Sequence, residues 1–167
     1  MSTPDLKLLL TTPNVSAYYD SSNDWLYLNW HGELDLDRLR KSCLQIVLCL
    51  VARRYKRILN DNTDLTKATP DVVPWLATEL LPYMKLVGIE YMAWILSPNL
   101  DVQNEAEAAL EEITKPVVAV FEDMASAYEW LSSVNFQPPG MLTSSGGLDQ
   151  IMSVLKNRIM HLGGKMW

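Results

Sequence analysis

The densest run of side chains able to hold a ligand or accept a phosphoryl group lies between Asn60 and Thr69. Asp61, Asn62 and Asp64 supply oxygens and an amide, and Thr63, Thr66 and Thr69 supply hydroxyls. The run follows the short apolar segment Ile58-Leu59, so it reads as a polar turn beyond the carboxyl end of a buried strand. Ligands of open α/β sheets bind at that edge. Thr69-Pro70-Asp71 then opens a helix whose first backbone N–H groups are free to meet an anion. Ser97, which ends the following strand, falls on the same edge. The plainer alternative is that these residues only shape Asx turns and helix caps.

A second candidate is apolar. Trp75, Tyr83, Met84 and Trp94 fall on a helix and the strand after it, and together would line a pocket for an apolar small molecule; ordinary core packing uses the same residue types. Other chemistries find less. His31, Glu33, Asp35 and Asp37 occupy a strand-to-helix turn, whereas zinc wants three or four converging ligands, so no metal site is expected. The run Asp20-Ser-Ser-Asn-Asp24 lacks the Gly and the bidentate Glu of a calcium loop. Gly146-Gly147 and Gly163-Gly164 do not follow a strand, so no phosphate loop or cofactor motif is present, and neither His31 nor His161 sits in a nucleophile context. Cys43 and Cys49 fall mid-helix among Leu, Ile and Val, six residues apart, which predicts buried free thiols and not a disulfide or a catalytic pair. No catalytic residues and no cofactor are assigned.

The elements that would position these groups follow from hydrophobic periodicity. Aromatic residues flank a polar tip from Ala17 to Trp30, which predicts a β-hairpin closed by Trp30-His31-Gly32, with Leu6–Leu10 as a further strand. Asp35 caps a helix whose apolar positions include Leu36, Leu39, Cys43, Ile46, Val47, Leu50 and Val51. That helix is apolar enough to require cover on two sides or an oligomer interface. Arg57–Asn60 is a short strand. The next helix contains Pro74 and Pro82, which predicts a late start or a kink, and Gly88 stops it. Ile89–Leu96 and Val117–Phe121 read as strands, with a helix from Asp101 between them and another capped by Asp123 after them. The expected fold class is α/β: a mixed sheet with an N-terminal hairpin followed by βαβ units, helices packed on the sheet and an extra C-terminal helix.

The stretch from Tyr18 to Ser133 resembles the STAS-like proteins related to the anti-sigma-factor antagonist SpoIIAA, most of all an uncharacterised bacterial branch of them. The likeness rests on the Tyr-Tyr-Asp…Trp-Leu-Tyr-Leu-Asn-Trp-His-Gly hairpin, on Ile58-Leu59-Asn60-Asp61-Asn62-Thr63, on Trp75…Leu81-Pro82-Tyr83-Met84…Gly88, and on the ending Phe121-Glu-Asp-Met…Tyr128-Glu-Trp130-Leu131. The resemblance implies a non-enzymatic role. Relatives act as phosphorylation-switched partners of other proteins or are likened to lipid-carrying CRAL-TRIO domains. The antagonists carry an Asp-Ser-Ser-Gly site, of which Asp61-Asn62-Thr63-Asp64 is only a loose analogue.

Composition limits the partners. Of 167 residues, 49% are apolar, enough for a core. The net charge of −6 opposes nucleic-acid binding, and the cluster Arg53, Arg54, Lys56 and Arg57 reads as a helix C-terminus. No apolar run approaches the ~20 residues of a membrane span and the N-terminus lacks a signal-peptide pattern, so no stable membrane insertion and a cytoplasmic location are expected. Residues 1–133 form the expected domain and 134–147 a Gly/Pro/Ser linker; 148–162 form an amphipathic helix with Leu148, Ile151, Met152, Leu155, Ile159 and Leu162 on one stripe, for docking or dimerisation. The leading expectation is a regulatory or protein-interaction module, binding a protein partner or a second copy of itself as a homodimer; a carrier of an apolar or lipid-like ligand is the alternative.

Overall fold

The computed structural model describes residues 5–99, 110 and 116–134. Six strands form one mixed sheet in sequential order: β1 (Leu6–Thr11), β2 (Val15–Asp20), β3 (Trp25–Leu34), β4 (Arg57–Ala68), β5 (Tyr91–Ile95) and β6 (Val117–Phe121). The first three pair antiparallel, and β3 through β6 pair parallel. The helices are α1 (Leu36–Ala52), α2 (Val72–Trp75), α3 (Leu81–Met84) and α4 (Met124–Ser133). A π-helical segment, Leu76–Leu80, joins α2 to α3, and a 3₁₀ turn, Lys85–Val87, ends that run. The α/β architecture with its opening hairpin is as the sequence predicts.

Alternation along the strands sorts side chains to two faces. Leu26, Leu28, Trp30, Ile58, Met92 and Trp94 point to one, where α1 and the helical run after β4 cover them. Successive crossovers that step the same way along a parallel sheet keep their helices together. Leu110 belongs to this core too; the other residues of the helix expected from Asp101 lie outside the described residues. The opposite face holds Trp25, Leu59, Ala93 and Ile95 under Ala127 and Leu131 of α4.

Local chemistry explains the boundaries. The Asp20 carboxylate accepts from the backbone N–H groups of Ser22 and Asn23 and from Asn23 Nδ2, which folds the hairpin tip into an Asx turn, with Asp24 in the left-handed region at φ 55°. Asp35 accepts from Arg38 N at 2.8 Å and starts α1, whose inward stripe is Leu39, Cys43, Ile46 and Leu50. Asp123 does the same for α4 through Ser126 N, also at 2.8 Å. Gly88 ends the helical run at φ 103°, a conformation that favours a residue without Cβ.

Four expectations need correction. The hairpin does not close at Trp30-His31-Gly32: β3 runs on to Leu34, with pairing irregularities against β4 around His31 and Gly32. The basic cluster only begins at a helix C-terminus: α1 stops at Ala52, Arg53 is its C-cap, and no cation lies in its last turn. Arg53 instead sits over the Tyr19 ring at 3.9 Å and donates to the Tyr19 hydroxyl, while Arg57 is a buried residue of β4. Of the two outcomes expected for the helix with two prolines, the late start does not occur: it begins at Val72 and tolerates Pro74 in its first turn, where that position's N–H has no intrahelical acceptor to lose, and the distortion falls before Pro82. Pro82 cannot donate to the Thr78 carbonyl, and the chain widens before it: Leu81 N reaches back five residues to Leu76 O.

The fourth correction matters most for function. The polar run after Asn60 is not a turn; β4 continues through it to Ala68, paired with the extended β3 as far as Leu34 and Ala68. The residue types are turn formers, but alternation gives the buried side chains partners on their own faces. Asn60 accepts from Trp30 Nε1 at 2.8 Å, and Asn62 donates to Ile95 O at 2.9 Å. Leu65 enters the core. Past the end of its pairing with β5, the backbone of β4 is met by the next loop: Ser97 Oγ and Asn99 Nδ2 both donate to Leu65 O.

Among the described residues no helix is long and apolar enough to cross a membrane. The linker 134–147 beyond Val134 and the helix expected at 148–162 lie outside the described residues, as do His161 and Trp167.

Candidate functional site

Strand geometry disperses the expected edge site. Asn62 and Ser97 are buried at 6% and 2% exposure and use their polar atoms on the Ile95 and Leu65 carbonyls. Thr66 is exposed, and Thr69 donates its hydroxyl to Asp71 at the start of α2. Asp61, Thr63 and Asp64 fall instead on the opposite face of the sheet, or on its surface, and there lie beside β3.

On that face the Asp61 carboxylate is buried and accepts three hydrogen bonds. Tyr27 Oη donates to its Oδ2 at 2.9 Å, Thr63 N donates to Oδ1 at 3.0 Å, and Thr63 Oγ1 donates to Oδ1 as well. Tyr18 stacks on Tyr27 with ring centroids 5.8 Å apart and planes 24° from parallel. Burial, followed by the Asp61 charge and hydrogen bond, holds the Tyr27 hydroxyl protonated well above the ordinary tyrosine range. Asn29 is the register partner of Asp61 on β3, and its buried Oδ1 has no hydrogen-bond donor. His31 stands opposite Asp64 one step further along the strands.

Aliphatic side chains extend this patch toward the sheet edge. Leu8 pairs with Tyr18 and Leu6 with Asp20, so both leucines project on the same side as Tyr18, at 53% and 39% exposure. The footprint of α4 lies over β4, β5 and β6. Among the described residues no element covers β1, β2 and the distal half of β3 on this side. The result is an open half-face: Leu6, Leu8, Tyr18 and Tyr27 as its apolar floor, with the exposed Thr63 and Asp64 as its polar rim above the buried Asp61 carboxylate and Asn29 Oδ1. It suits a partner that brings apolar side chains together with N–H or ammonium donors. Sequence reading found Asp61, Thr63 and Asp64 but missed Leu8, Tyr18, Tyr27 and Asn29, because they converge only once the strands are paired. The alternation of Tyr18, Tyr27 and Asn29 was the available signal.

The expected apolar pocket is present only in part. A cavity of about 40 Å³ lies between the sheet and the helices, lined by Met84 and Trp94 together with Leu28, Cys43, Leu76 and Met92. Trp75 and Tyr83 are not in its wall; they are half-buried and pack on the core from outside it. The cavity accommodates a water or two, against the ~300 Å³ or more typical of ligand pockets. Trp30 and Asn60, which also border it, already bind each other.

Both cysteines are free; Cys43 is buried and Cys49 half-buried. Burial raises both thiol pKa values, which leaves little thiolate for nucleophilic chemistry. Among the described residues no group of three or more His, Cys, Asp or Glu side chains is placed to hold a metal ion.

No family model and no curated protein matches this chain. Among solved structures it is similar to an uncharacterised protein of the DUF3478 family with a SpoIIAA-like fold from Shewanella loihica PV-4, at 17% identity and a TM-score of 0.49 over 78% of this chain and 98% of that one.

Proposed function

We propose that this chain is a non-catalytic protein-interaction module that engages its partner through the open half-face of β1, β2 and β3. The observation that carries the reading is the composition of that face. Two leucines at 53% and 39% exposure stand beside the Tyr18–Tyr27 stack, next to a buried Asn29 acceptor that lacks a donor. Exposed apolar residues rimmed by polar ones mark binding surfaces. The partner surface this face selects is a basic amphipathic segment. The carrier alternative draws less support among the described residues, where the cavity between the sheet and the helices, about 40 Å³, cannot enclose an acyl chain.

The experiment is site-specific photo-crosslinking in the full chain, with the probe at Thr63 and, as a control, at Leu48 on the exposed side of α1. The same protein captured repeatedly from Thr63 and not from Leu48 fits the proposal. Its affinity should then fall roughly ten-fold for Leu8→Asp, the scale expected for placing a charge in an apolar contact. Capture from Leu48 alone, or an affinity indifferent to Leu8→Asp, would sink it.

A further inference from the structure

The chain carries, beyond Val134, a segment with the chemistry that the open half-face selects. From Leu148 to Leu162 the stripe Leu148, Ile151, Met152, Leu155, Ile159 and Leu162 repeats at helical spacing. From Leu148 to the end there are three cations, Lys156, Arg158 and Lys165, against one carboxylate, Asp149, in a chain whose net charge is −6. The face it would meet offers the exposed Asp64 carboxylate, with the negative charge of the buried Asp61 behind it. Sign and amphipathicity both match.

The geometry permits the contact. The segment leaves the domain at the end of α4, which already lies on this side of the sheet. Strands are spaced about 4.8 Å apart, so the face over β2 lies some 15 Å from the middle of α4's footprint on β5. The intervening residues 135–147 can span roughly 40 Å when extended. Helices pack side by side at about 10 Å, and α4, lying over β4 to β6, leaves the width of one further helix on the sheet.

We propose that residues 148–162 seat as a helix on the open half-face beside α4, with the apolar stripe on Leu8, Tyr18 and Tyr27 and a cation directed at Asp64 on the rim. The occupant is the chain's own tail, because a short linker holds it at a local concentration in the millimolar range, above that of a second copy at ordinary protein concentrations. The inference rests on the reading of this face as a binding surface and adds its regulation. A seated tail competes with the partner, and partner affinity falls in proportion to the fraction of molecules left open.

The test uses the full chain with Leu8→Cys and Met152→Cys, a short bis-maleimide, and peptide mapping that separates these thiols from Cys43 and Cys49. The expected product is an intrachain 8–152 link in monomer, its yield independent of protein concentration. Adding Leu155→Asp and Ile159→Asp, which touch no described contact, should cut that yield roughly ten-fold and speed amide exchange in β1 and β2 while α1 is unchanged. Absence of the link together with unchanged exchange overturns the proposal. A link formed only between chains and rising with concentration overturns it too, placing a second copy on the face. No partner is present, so failure here leaves the partner surface standing, and an unresponsive partner beside an intact link removes only the partner reading.

Discussion

Replacing Asn60 by Ala probes the point where sequence and structure diverge most. Asn60 is 4% exposed, and its Oδ1 is the acceptor for Trp30 Nε1, itself 5% exposed. Truncation leaves the indole N–H buried without a partner, at a cost of about 1–3 kcal/mol. The adjoining cavity of about 40 Å³ would grow by the lost amide and could admit a water to that N–H, which holds the cost toward the lower half of the range. Trp30→Phe removes the donor from the other side. In a double-mutant cycle the pair should couple by about 1 kcal/mol. Urea unfolding followed by far-UV circular dichroism reads each corner of the cycle, with unchanged slopes as the check that the end states are comparable. If Asn60→Ala costs less than about 0.5 kcal/mol and the coupling is nil, Asn60 does not point inward onto Trp30 as described.

Other outcomes follow from the same geometry. Arg57 donates to the carbonyls of Leu131 in α4 and Asn23 in the hairpin tip, so Arg57→Met should cost about 1–3 kcal/mol by urea unfolding and raise amide exchange in α4 before the rest of the sheet. At neutral pH a thiol reagent should modify Cys49 slowly and Cys43 only after denaturant is added, as mass spectrometry would count; rapid native labelling of Cys43 would contradict its burial. Tyr27 has its folded pKa raised above the unfolded value, so its stabilisation is complete below about pH 10 and is lost as pH rises further. Tyr27→Phe should therefore flatten the alkaline decline in stability, and an unaltered decline would count against the Tyr27–Asp61 contact.

Much of the fold was legible in the sequence because it is written in periodicity and caps. Asp35 and Asp123 both cap the helices expected of them, and Val117–Phe121 is the strand its apolar run predicts. The α/β class follows from that alternation. What misled was composition. Asn60 through Thr66 has the residues of a turn, and local propensity cannot register that Trp30, Ile95 and Tyr27 would satisfy the polar atoms one by one. The candidate site was half legible for the same reason. Asp61, Thr63 and Asp64 stood out as polar residues in a row, whereas Leu8, Tyr18 and Asn29 acquire meaning only through strand register, a long-range property.

The most direct measurement is chemical-shift mapping on isotope-labelled full-length protein, titrated with the partner captured from Thr63. The account predicts that perturbations gather at Leu8, Tyr18, Tyr27, Asn29 and Thr63, on one side of one half of the sheet. Perturbations confined to Leu48 and Val51 on the outer side of α1, with those five amides unmoved, would contradict it.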